Sequence, residues 1–180
     1  CMNDLHAAGG PDDIELVINH DGKVYDGRFA NNGWMQELPD PVTKLAWDNA
    51  LVMGPELAEA RGVVTGDMVE VAVGSRSTKA AVMVMPAYAP RTCALAIGYG
   101  QGEEAGRIAA DAGFNAYPLR TADGMHLARK VAINPTGESY PMATTQDHGI
   151  FGSLIPEVPE AGIQERLPSI VRGTSLDKYK

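Results

Sequence analysis

Two cysteines are all that the 180 residues contain, and that scarcity closes several routes. A cubane iron–sulfur centre needs four thiolates at cluster spacing, and a structural zinc site needs ligand pairs at short intervals. Cys1 and Cys93 supply neither. Cys93 sits inside an apolar run and reads as a buried free thiol. Histidine is also sparse, and His6, His20, His126 and His148 are too scattered to define a metal set. No Lys/Arg run exists, and 15 basic against 23 acidic residues leave a formal charge of −8, so nothing drives binding to a phosphate backbone. No window approaches 18 consecutive apolar residues, and the start lacks a basic stretch followed by an apolar one. Neither a membrane span nor a signal peptide is therefore expected.

What is present suits one core. An apolar fraction of 44% is enough for a single interior. Ile14 to Ile18 reads as a strand closed by the turn Asp21-Gly22. Thr43 to Met53 is mostly apolar with β-formers and is expected to be a strand carrying Trp47 and Asn49. Gly54 to Gly62 spells a short helix: Pro55 suits the first position, Glu56 and Arg61 suit the two dipole ends, and Gly62 suits a left-handed cap. Gly66-Asp67 then turns into the alternating run Val69, Val71, Val73, with the Asp67 carboxylate expected to accept backbone N–H groups of that turn. Thr78 to Met85, Cys93 to Ile97 and Ala128 to Asn134 complete the strands; Gln101 to Gly113 reads as loop with one helical turn. Short strands with turn signals every eight to twelve residues predict a β-barrel rather than βαβ units.

Two motifs are decoys. Gly100-Gln101-Gly102-Glu103-Glu104-Ala105 satisfies a permissive dinucleotide pattern. Yet Glu103 and Glu104 place negative charge where a pyrophosphate would sit, and Gly106 and Gly113 interrupt any crossover helix. His148 with Asp147 reads as a capped turn rather than a catalytic pair. Phe29, Trp34, Met35 and Leu38 crowd a loop rich in Gly, Asn, Asp and Pro. Exposing all of them is costly, so Phe29 and Leu38 are expected to dock on the barrel, with Trp34 partly exposed toward a neighbouring domain.

The most specific residues are Tyr25 to Pro41, Thr43-Lys44-Leu45, Trp47-Asp48-Asn49, Gly98-Tyr99-Gly100, Gly113 to Arg120 and Ala143 to His148. Together they resemble the large iron–sulfur subunit of alternative complex III, a bacterial quinol oxidoreductase, most strongly over residues 25–150. Gln164 to Lys180 is similar to the linker leading to that subunit's ferredoxin-like domain. The resemblance implies a mainly β fold, a six-stranded double-psi β-barrel with short helices and long loops, related to the dinucleotide-binding domain of molybdopterin oxidoreductases. Residues 1–24 would form an N-terminal strand and lead-in, 25–152 the barrel, and 153–180 an extended linker or tail. By the same resemblance, Trp47, Asn49, Gly98, Tyr99, Gly100 and Asn115 fall where a cofactor-binding relative lines its pocket.

The first reading is a non-catalytic scaffold domain of a quinol-oxidising complex. It carries no cofactor itself, and iron–sulfur clusters are expected elsewhere in the full subunit. Its partners would be the other domains of that subunit together with cytochrome and membrane subunits, on the periplasmic side of the inner membrane. The second is a functional molybdopterin guanine dinucleotide-binding domain of a molybdenum oxidoreductase, with Trp47, Asn49 and Asn115 holding the guanine dinucleotide. A third, which composition alone permits, is a free-standing acidic β-barrel that binds protein partners.

Overall fold

The computed structural model describes residues 13–110 and 112–145; the expected tail over 153–180, the linker over 164–180, and Asp147 and His148 lie outside them. The elements run β1 (Glu15–His20), α1 (Gly33–Glu37), β2 (Leu51–Met53), α2 (Pro55–Arg61), β3 (Asp67–Val73), β4 (Arg76–Val84), β5 (Thr92–Ile97), β6 (Leu127–Arg129) and β7 (Ala132–Ser139). All seven strands join one sheet in the order β6-β1-β5-β2-β4-β3-β7. The expectation of a mainly β domain with short helices and long loops holds, with seven strands in place of six.

Chain connectivity shows that the sheet curls. Strands β6 and β7 stand at opposite ends of the order, and seven flat strands at about 4.8 Å spacing would set them roughly 29 Å apart. Only Lys130 and Val131 connect them, a reach of about 11 Å when fully extended. The Val131 N–H donates to Ile14 O, just ahead of β1, at 3.2 Å. The two ends therefore approach each other, and the sheet is a curled half-barrel. Its hollow is filled by alternate residues of every strand: Leu16 and Ile18, Leu51 and Met53, Val69 and Val71, Ala80 and Val82, Leu95 and Ile97, Ala128, and Ile133. Pairing is parallel for β1 with β5 and β2 with β4, and antiparallel elsewhere.

Helix α2 forms as its punctuation dictates. Pro55 opens it, and Gly62 closes it at φ 65°, its N–H donating to Ala58 O and Glu59 O. Leu57 and Ala58 point into the core, a burial worth about 1.5–3 kcal/mol for the leucine. The carboxylate of Asp67, the first residue of β3, accepts the Val64 N–H at 2.8 Å.

Two expected strands are corrected. Between Thr43 and Met53 only Leu51–Met53 is a strand, because Lys44 (φ 60°) and Trp47 (φ 65°) take left-handed conformations that a ladder excludes. The segment expected as one strand over Ala128 to Asn134 is two, β6 and β7, broken where Lys130 turns to φ 56°.

Candidate functional site

The concave feature of interest lies on the outer face of β2 and β5, under the loop that follows β1. Asp21 fixes the start of that loop by accepting the N–H groups of Lys23 (2.7 Å) and Val24 (2.8 Å). Asp40 fixes its far side by accepting Val42 N–H (2.9 Å), Thr43 N–H (2.6 Å) and the Thr43 hydroxyl (2.9 Å). Asp48 is buried and accepts the Tyr140 hydroxyl at 2.9 Å. These three carboxylates, with Asn49, Tyr88, Ala94 and Ala96 among their neighbours, line a cavity of about 150 Å³.

Lys23, which sequence reading did not single out, is 2% exposed. Its ammonium donates to Leu45 O at 3.0 Å and lies 5.6 Å from the centre of the Tyr99 ring. Burial pulls its pKa down, while Asp21, Asp40 and Asp48 push the other way. Burial likewise raises the Asp48 carboxyl, opposed by the Tyr140 hydrogen bond and by Lys23. The Tyr140 hydroxyl is pushed up to about 12 by burial and by Asp48. Tyr99 is driven far above the ordinary tyrosine value, first by burial and then by the three aspartates. Its hydroxyl lies beside Asp21 without closing a well-aligned hydrogen bond. One buried cation is thus set among three carboxylates, and the site carries net negative character.

Most of the expected pocket positions do come together, through contacts with the protein itself. Asn49 Nδ2 donates to Ala96 O (2.6 Å) and Phe114 O (2.9 Å), and its Oδ1 accepts the Phe114 N–H (2.7 Å). Gly100 (φ 66°) packs on the backbone of Phe114 and Asn115, where a Cβ would collide with Asn115 N. Gly98 (φ 108°) packs against Val24, Tyr25 and Gly27, and a Cβ there would lie 2.9 Å from Gly27 N. Tyr99 is buried in a small cluster with Val24, Ala30, Ala109 and Ala112. Asn115 is exposed, and its Oδ1 accepts the Tyr117 N–H at 3.0 Å. Trp47 is 36% exposed, its backbone N–H donating to Gln36 O at 3.0 Å.

Asn49, Gly98, Tyr99 and Gly100 do not present a ligand-facing set to a dinucleotide. Both Asn49 amide hydrogens are used internally, Tyr99 is enclosed, and the glycines make room for protein rather than for a ligand. The neighbouring cavity presents Asp21, Asp40 and Asp48, which repel a diphosphate. The decoy after β5 is also resolved: Glu103–Ala105 is one 3₁₀ turn and no crossover helix follows among the described residues. Asp21 had read only as a turn residue, and no spacing in the sequence pairs it with Lys23, Asp40 and Asp48.

The expectation that Phe29 and Leu38 dock on the barrel is overturned, since they are 48% and 50% exposed. Val24, Ala30 and the half-buried Met35 seat the loop instead, and backbone and polar hydrogen bonds hold the rest, so the two large side chains are not needed as anchors. Trp34 is 86% exposed.

The model of the Molydopterin dinucleotide binding domain family matches residues 28–126, more than half of the chain, which therefore belongs to that family. Over 100 residues the chain is 28% identical to the thiosulfate reductase molybdopterin-containing subunit PhsA of Salmonella typhimurium, covering 53% of this chain and 13% of that protein. Acetylene hydratase from Pelobacter acetylenicus is a similar solved structure, with a TM-score of 0.48 and 16% identity, covering 66% of this chain and 18% of that one. The chain thus spans a small part, 13%, of the curated relative it matches.

Proposed function

We propose that this chain is a non-catalytic scaffold domain of a molybdopterin oxidoreductase-like subunit, in a quinol-oxidising electron-transfer complex of the alternative complex III type. The observation that carries this reading is the internal use of the pocket positions: Asn49, Gly98, Tyr99 and Gly100 hold protein segments together. The cavity beside them is lined by Asp21, Asp40 and Asp48. The parallel pairs β1·β5 and β2·β4, joined by the antiparallel pair β2·β5, support a double-psi barrel as the frame. In this reading, iron–sulfur clusters sit in other domains of the subunit. The domain faces the periplasm and is held at the inner membrane by cytochrome and membrane subunits. Its own residues orient and support neighbours and perform no chemical step.

A second reading, a functional domain holding molybdopterin guanine dinucleotide through Trp47, Asn49 and Asn115, is favoured by the family membership itself. Molybdenum and pterin content of the full-length gene product separates the two, and purification from native membranes tests the complex assigned to the first. The scaffold reading expects co-purifying haem-containing and membrane subunits and quinol-dependent electron transfer. A soluble enzyme with neither partner contradicts it.

A further inference from the structure

Helix α1 is inverted: its buried side chain is the polar Gln36, while Trp34 is 86% exposed. The inversion is rigidly built. Gln36 Nε2 donates to Ala30 O at 2.8 Å, and Gln36 O accepts the Trp47 N–H at 3.0 Å. Asn32 caps the helix by accepting the Trp34 N–H at 3.1 Å. Asn31 Oδ1 ties the same turn to a distant segment by accepting the N–H groups of Ile108 (3.0 Å) and Ala109 (3.4 Å). Around Trp34 stand other exposed apolar groups. Leu38 follows one turn later, its N–H donating to Trp34 O at 3.1 Å. Phe29 lies in the preceding turn, its carbonyl accepting the Asn32 N–H at 3.0 Å. The Ile108 Cδ1 methyl is 3.7 Å from where a Cβ on Gly33 would be. A tryptophan held in solvent on a polar, pre-organised platform loses little conformational freedom when it is covered, which is the character of an interface anchor.

We propose that Trp34, rimmed by Phe29, Leu38 and Ile108, seats in an apolar pocket of another folded domain of the same polypeptide. This rests on the reading of the chain as one domain of a larger subunit. The patch itself argues for an intramolecular partner. With Trp34 86% exposed and Phe29, Leu38 and Ile108 between 38% and 50% exposed, the patch offers on the order of 450 Å² on its own side at roughly 150–250 Å² per large side chain, short of the approximately 800 Å² per partner that separate chains need for a stable complex. A covalently linked domain is already at high effective concentration and needs less. A second copy is disfavoured by the charge of −8 on each chain. The curated relative, of which the matched stretch covers 13%, has ample further chain for such a neighbour.

The test places the photo-reactive residue p-benzoylphenylalanine at position 34 of the full-length gene product, with position 64 as an exposed control away from α1. Irradiation is expected to join position 34, and not position 64, to a peptide of the same polypeptide outside residues 1–180. A cross-link to a second copy or to a different protein, or none at all, overturns the proposal. Trp34→Ala provides a second readout: it should leave the melting temperature of the 180-residue chain unchanged and lower that of the full-length product by several degrees. An equal drop in both would make Trp34 part of this domain's own packing and sink the idea. The cross-link is read without reference to electron transfer, so a molybdenum-loaded enzyme giving the expected cross-link would refute the scaffold reading alone.

Discussion

Asn49→Ala tests whether this residue is a structural clamp or a ligand-binding group. The side chain makes three hydrogen bonds, to Ala96 O at 2.6 Å, Phe114 O at 2.9 Å and from Phe114 N–H at 2.7 Å. It thereby ties the segment before β2 to the end of β5 and to the Gly113–Asn115 crossing. At about 0.5–1.5 kcal/mol net per hydrogen bond, their joint loss costs about 3 kcal/mol. With a urea m-value of about 2 kcal/mol/M, the unfolding midpoint should fall by about 1.5 M. Asn49→Asp should be no milder, since it keeps an acceptor for Phe114 N–H but turns an oxygen toward two carbonyls. Urea titration followed by circular dichroism measures both variants. Midpoints within about 0.3 M of the parent for both would show that the hydrogen bonds carry little. That result would free Asn49 for a ligand, because removing a group kept for binding is commonly neutral or stabilising.

Gly100→Ala should cost at least about 2 kcal/mol in the same urea titration, because φ is 66° and the new Cβ would lie 2.7 Å from the Phe114 carbonyl carbon; a variant as stable as the parent refutes the close crossing. Asp67→Ala should cost about 1 kcal/mol through the lost bond from Val64 N–H, and a null effect in thermal unfolding counts against the clamp. Burial pushes the Cys93 thiol up to about 12, so at pH 8 only about one molecule in ten thousand carries the reactive thiolate. In a Cys1→Ser background, Cys93 should resist a disulfide reagent until urea unfolds the chain, and rapid labelling of the folded protein would contradict its burial.

The local grammar of the chain was legible where punctuation and periodicity agree. Helix α2 lies between Pro55 and Gly62, β3 begins at Asp67, and the alternation in β5 buries Cys93, Leu95 and Ile97. What failed depended on backbone conformations that residue type does not announce. Lys44, Trp47 and Lys130 are all left-handed without being glycine, and each ends a run whose composition favours a strand. The exposure of Phe29 and Leu38 was missed for a related reason: apolar count predicts docking, but small residues, the Gln36 amide donating to Ala30 O and Asn31 Oδ1 accepting the Ile108 N–H secure the loop instead. The acidic cavity was invisible because Asp21, Asp40 and Asp48 meet only through the fold. Asn49, Tyr99 and Gly100 were placed in one pocket by resemblance, and no one-dimensional pattern shows that Asn49 bonds to the protein itself, that Tyr99 is enclosed or that Gly100 packs on Phe114 and Asn115.

Metal and pterin content of the full-length gene product tests the central claim most directly. Elemental analysis by mass spectrometry and fluorescence of oxidised pterin, read on protein purified from its native source, should find iron without stoichiometric molybdenum or pterin. Molybdenum near one equivalent, together with bound pterin and guanine nucleotide, would contradict the scaffold account and make this domain a working dinucleotide site.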